Sequence, residues 1–208
     1  MDSLQRSLKP SGHAWLPVVI FLVISMVCGL DYWHGAGQVE TIRFIIRFTA
    51  RTSLCLFLLA FTASSAASLF PSRGTRWLLD NSRNFGISFV LSHAVHFVAV
   101  AEFYRQAPDL FASVSPTLLI VLRGIGVSFI VFMSLSFFNA DVLEDRRLRF
   151  VAVLGGYYIW GAFLTGFGKR IPESPIYSIL VILLIVSLLM RAAAIWKERR
   201  PSSSHGVL

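Results

Sequence analysis

Two histidines lie inside an apolar run, Phe89-Val-Leu-Ser-His-Ala-Val-His-Phe-Val98. His93 and His96 are spaced i, i+3, so a helix would carry both on one face. Neutral imidazole ligates haem iron and transition metals. Histidine can equally serve as a hydrogen-bonding group that holds helices together. A second set is Arg43, Arg47 and Arg51, one stripe at i, i+4 and i+8. Its plain reading is an amphipathic lead-in lying at a membrane interface, with long side chains snorkelling. Its functional reading is a site for an anionic group, such as a cofactor carboxylate, a quinone or a lipid headgroup, with Arg51 the deepest and best candidate.

These residues matter because their surroundings are so apolar. The chain has 208 residues, of which 55% are hydrophobic and 14% charged. Mean hydropathy is +0.68. Soluble domains carry about 25% charged residues, so the composition excludes a disordered chain and a nucleic-acid-binding domain and points to an integral membrane protein. A spanning helix needs about 20 apolar residues. Segments 14–32, 48–70, 85–104, 118–138, 150–167 and 176–195 meet that requirement. The expectation is an all-α, polytopic six-helix transmembrane bundle in contact with the lipid bilayer. It would occupy 14–196, between an N-terminal tail at 1–13 and a disordered tail at 197–208. The remaining length leaves no room for a nucleotide-binding domain, and no phosphate-binding glycine motif is present.

The net charge of +8 is read as an orientation signal. With the N-terminus inside, the inner segments hold Arg6, Lys9, Arg73, Arg76, Arg83, Arg146, Arg147, Arg149, Lys197, Arg199 and Arg200. The outer segments hold Arg43, Arg47, Arg51, Arg105, Lys169 and Arg170. That excess predicts cytoplasmic N- and C-termini. Trp15, Trp33, Trp77, Tyr104, Tyr177 and Trp196 fall where interface anchors belong. Arg6 and Lys9 before the first run also suit a signal peptide, but the run is long and Gly35-Ala36-Gly37 is a poor cleavage site, so the first span is expected to stay. Cys28 and Cys55 lie in apolar runs and form no Cys-x-x-Cys. The run from Ala63 to Ser68 and Gly155, Gly156, Gly161 and Gly166 read as close-packing sites. The mixed charges Asp141, Glu144, Asp145, Arg146 and Arg147 read as a solvated inner loop.

Spans two to five resemble the ferric-reductase-like transmembrane family, which includes the haem-binding membrane subunit of the bacterial periplasmic methionine sulfoxide reductase system. That family's second span opens with Arg-x-Thr-Gly-Arg before a Leu-rich run. Here Arg47-Phe48-Thr49-Ala50-Arg51 precedes Leu54-Cys-Leu-Phe-Leu-Leu59. Its third span opens with Arg-x-x-Gly, and a ligand histidine follows about ten residues after the glycine. Here Arg83-Asn84-Phe85-Gly86 is followed by His96. The resemblance covers about half the chain, 47–167. It implies a haem b on His96, with His93 as a second ligand, a hydrogen-bond donor or a proton relay, and Arg51 on a propionate. It also implies a bacterial inner-membrane location.

The fifth span departs from the pattern. The family begins that span with Leu-His and places another histidine about thirteen residues later. Here the stretch reads Arg147-Leu148-Arg149-Phe150, and the only histidine after His96 is His205. Stacked haems need ligands roughly 20 Å apart along a helix, whereas His93 and His96 differ by about 4.5 Å. At most one haem is expected. A sixth ligand would be water or another side chain, with Met26 or Cys28 at similar depth and His34 too far out.

Two functions follow as expectations. One is a single-haem electron-transfer subunit, an oxidoreductase component. It would take electrons from the quinol pool or a separate flavoprotein and pass them to an outer-side partner protein or a small acceptor. The other is a haem-free structural or assembly subunit whose interior is refilled, with Tyr157, Tyr158 and Trp160 where a ligand would stand. A transporter using the arginine stripe is a weaker third, because no broken-helix pair or inverted repeat is apparent.

Overall fold

The computed structural model describes residues 15–35, 38–114, 116–138 and 145–199. The expected tail 1–13, the part of the expected tail 197–208 that lies beyond residue 199, with His205, and the loop residues Asp141 and Glu144 lie outside them. The described residues form helices α1 (Leu16–His34), α2 (Val39–Leu69), α3 (Arg73–Asp80), α4 (Ser82–Gln106), α5 (Pro108–Val114), α6 (Thr117–Phe138), α7 (Arg146–Gly168) and α8 (Pro175–Arg199). A single 3-10 turn, Ile171–Glu173, precedes α8. Six of these helices are long and apolar enough to cross a membrane. The chain is an all-α, multi-pass membrane protein, as its composition demands.

Helix boundaries differ from the apolar runs where charges begin. α2 is one helix of 31 residues and starts nine residues before the run at 48–70. The arginine stripe is therefore the first part of a spanning helix, not a separate lead-in. α7 starts at Arg146, where Asp145 caps it by accepting from the backbone N–H of Arg147 at 2.6 Å and of Leu148 at 3.4 Å. α8 runs on to Arg199 and absorbs three residues expected in the tail. The short α3 was not expected either. Ser72 and Thr75 close a reciprocal capping box at its start.

Packing order makes a ring. α2 lies against α4, α4 against α6, α6 against α7, α7 against α8, and α8 against α2. α1 packs outside the ring on α4 and α2. Lipid tails are as apolar as leucine, so burial of carbon alone does not hold such helices together. Close approach and interhelical hydrogen bonds must do so. The closest pair is α2 with α4. Thr49, Ser53, Ser88 and Ser92 are all buried in these two helices, and the Ser53 and Ser92 hydroxyls meet at 2.9 Å. Gly155 does the same for α6 and α7, since a Cβ there would stand 2.8 Å from the Phe129 ring. Gly156 would make only an ordinary contact with Phe61, while Gly161 and Gly166 face open space. Of the expected close-packing glycines, Gly155 alone is required by a neighbour.

Aromatic rings fill the ring's interior. Phe57, Phe89 and Phe163 meet with centroids 5.5–6.3 Å apart, and Phe163 stacks on Phe167 at 5.9 Å. Phe167 in turn stacks on Tyr177 at 5.9 Å.

Candidate functional site

His96 is held through one nitrogen. Its Nδ1 lies 3.2 Å from the Ile46 carbonyl and 3.1 Å from Thr49 Oγ1. The Thr49 hydroxyl donates to the Ile45 carbonyl at 2.7 Å, so its oxygen can only accept from the ring. This network places the hydrogen on Nδ1. Nε2 then carries the lone pair, and no described residue hydrogen-bonds it. An imidazole fixed by a carbonyl on one nitrogen and free on the other is how ligand histidines are oriented.

His93 is placed differently. Its ring lies among Phe89 at 5.3 Å, His96 at 5.1 Å, Phe97 at 4.9 Å and Phe163 at 6.1 Å. Its Nδ1 is buried with no hydrogen-bond partner among the described residues. An unpaired buried nitrogen costs about 1–3 kcal/mol. His93→Phe, which keeps the ring contacts and removes that nitrogen, is expected to leave the thermal unfolding midpoint unchanged or raise it. A clear fall would mean that the nitrogen has a partner.

The side chain facing His93 from α7 is Phe163, on the span where a second ligand would be needed. The other candidates on α7 tie it to its neighbours. The Tyr157 hydroxyl accepts from Arg191 Nε at 3.2 Å, and its ring meets Phe61 edge-on at 5.6 Å. Tyr158 donates to the Leu122 carbonyl of α6 at 2.7 Å. Trp160 donates to the Leu184 carbonyl of α8 at 3.0 Å. So α7 is fastened to α2, α6 and α8, and the ring it sets against His93 is Phe163 rather than these three.

Met26 is 62% exposed and points away from the bundle, so it cannot reach His96. Cys28 is buried on α1, outside the ring. His34 ends α1 and is exposed, as its position in the sequence implies. Among the described residues no third His, Cys, Asp or Glu joins the histidine pair as a metal-binding group. Opposite His93, the described residues of α7 present Phe163 rather than a histidine.

The arginine stripe divides. Arg43 is solvent-facing and pairs with Glu40 at 2.8 Å, a surface contact of little energetic weight. Arg47 is partly buried. Arg51 turns inward, donating from Nη2 to the Tyr177 hydroxyl at 3.0 Å, with its guanidinium 5.1 Å from that ring. Tyr177, expected as an interface anchor, is only 2% exposed. Trp15, Trp33, Trp77, Tyr104 and Trp196 are exposed, as anchors should be. Two further residues join Arg51, and the sequence reading had treated them otherwise. Arg170, counted as a loop charge, lies near the Tyr177 hydroxyl. Arg123, inside α6, sits with Arg170 close enough to His96 to act on it electrostatically. No protein-family model, curated protein or solved structure matches the chain.

Proposed function

We propose that this chain is a structural or assembly subunit of a membrane complex, with a ferric-reductase-like bundle whose haem centre has been replaced by side chains. The observation that supports this reading is Phe163. It faces His93 from α7 and packs against Phe57 and Phe89, filling the gap between α4 and α7 where a macrocycle and its second ligand would lie. The bundle sits in the bacterial inner membrane with both termini cytoplasmic, the side its excess of Lys and Arg favours.

A second reading has its own support in His96. With Nδ1–H on a carbonyl and Nε2 unpartnered, His96 is poised to hold one b-type haem. Arg51 would then hold a propionate. The quinol pool or a separate flavoprotein would supply electrons for an outer-side partner.

One measurement separates them. The protein is produced with haem supplied, purified in detergent, and its oxidised and dithionite-reduced spectra are recorded. The expected result is no Soret band. A band that His96→Ala removes and His93→Ala retains would establish the one-haem reading instead.

A further inference from the structure

The two histidines of α4 carry more ligating capacity than the proposed function uses. Each neutral imidazole keeps one nitrogen lone pair. On His96 that nitrogen is Nε2, because Nδ1 is committed to the Ile46 carbonyl. On His93 no hydrogen bond fixes the tautomer at Nδ1, which is buried with no partner among the described residues. A buried ring nitrogen that meets nothing is costly, and a ligand that takes up its lone pair removes that cost. The rings are close enough to share one ion. Their centroids lie 5.1 Å apart, with planes 30° apart. An ion bonded to two imidazoles at about 2.0 Å holds the two nitrogens roughly 4 Å apart when it lies between them. Rings at this separation meet that spacing after a turn of His93 alone. The turn breaks no hydrogen bond at Nδ1, while His96 stays fixed on α2 through Ile46 and Thr49.

The surroundings select the ion. Among the described residues no third His, Cys, Asp or Glu joins the pair. The other rings around His93 are Phe89, Phe97 and Phe163. Zinc takes four ligands in structural sites, and two neutral nitrogens would leave both its charges uncompensated in an apolar interior. Copper(I) is soft, closed-shell and singly charged, and two nitrogens in line satisfy it. Imidazole suits copper, and aromatic faces attract a cation. Arg123 and Arg170 act on His96 electrostatically. Their repulsion scales with the charge of a bound ion, which again favours a single charge. We propose that His93 and His96 form a two-nitrogen site for copper(I) inside the bundle. This goes beyond the proposed function, which needs no metal. It also differs from the one-haem reading, because both histidines ligate and no macrocycle takes part.

The full chain is made in a Cys28→Ala, Cys55→Ser background, because thiolates outcompete imidazole for copper(I). It is produced with haem withheld, purified in detergent without an affinity tag, and kept under ascorbate. Copper(I) is then supplied as its complex with the coloured chelator ferrozine. The expected result is bleaching of the chelate equal to one copper(I) per chain, with a rise in the unfolding midpoint. His93→Phe and His96→Phe should each weaken uptake by about tenfold or more, the scale on which even supporting residues of a metal site act. If His96→Phe fails to fold, His93→Phe, which keeps the ring contacts, carries the test. His34→Gln, at the far end of α1, should bind as its parent does. Uptake unchanged in both ring variants would overturn the proposal, as would no uptake at all. Zinc(II) held as tightly, and lost in the same variants, would overturn the assignment to a singly charged ion. A Soret band from protein supplied with haem would count against the proposed function, and the copper result, read on haem-free protein, would still decide this site.

Discussion

Ser92→Leu should prevent α2 and α4 from seating against each other, while Ser92→Ala should be tolerated. Ser92 and Ser53 are both fully buried and meet hydroxyl to hydroxyl at 2.9 Å. Losing that neutral hydrogen bond costs about 1 kcal/mol, and Ala leaves the close approach intact. Leucine must displace a helix. Overpacking a tight contact costs about 1–3 kcal/mol or more, and here it falls on the closest helix pair in the ring. Small residues at this contact matter more in lipid than they would in water, because no solvent is expelled to compensate for lost contact. The two variants are compared by thermal unfolding in detergent, with monodispersity as the second readout. Equal effects would mean that the hydroxyl, not its size, matters. Helix displacement would also reach the candidate site. His96 rides on α4 and donates from its ring to Ile46 and Thr49 of α2, so Ser92→Leu is expected to free its ring.

These serines show what the sequence could and could not reveal. Six spans were legible because a continuous apolar run has few other uses. The boundaries were not, because a hydropathy window stops at the first charges, whereas α2 carries Arg43 and Arg47 on helical turns that continue into the span. A serine inside an apolar run reads as neutral. A signal was still available: Thr49 and Ser53, and Ser88 and Ser92, each recur at i, i+4 and so mark one polar stripe on each helix. Tyr177 was misread for a different reason. A tyrosine near a span end is usually an anchor, and only the folded chain brings Arg51, 126 residues earlier, onto its hydroxyl. The same holds for His96, whose Ile46 partner is 50 residues away. His96 itself was singled out from the sequence, and the folded chain holds its ring against α2. That the fifth span carries no histidine was also legible, whereas the ring that faces His93 from it, Phe163, was not.

Phe163 gives the strongest test of the proposed haem-free interior. Phe163→Ala should lower stability by about 2–3 kcal/mol, and Phe163→Leu by roughly half as much. In water a buried Phe→Ala change costs about 3–5 kcal/mol, from lost transfer plus a cavity. For a membrane bundle the separated helices already lie in lipid, so the transfer part shrinks and the cavity part remains. That part is large here because the Phe163 ring touches four others. It lies 5.7 Å from Phe57, 6.3 Å from Phe89, 6.1 Å from His93 and 5.9 Å from Phe167, the last with planes only 2° apart. The backbones of α4 and α7 scarcely approach each other, so these rings are what bridges them. The readout is the unfolding midpoint of the detergent-purified chain, with haem withheld and then supplied. A midpoint unchanged by Phe163→Ala would mean that the rings do not fill a closed interior, and the haem-free reading would lose its support. A lowered midpoint restored by haem, together with a Soret band, would show that emptying this one position reopens a cofactor cavity. A lowered midpoint that haem leaves unchanged is the expected outcome, because Phe89 still lies against His93 and Phe57 against Phe89.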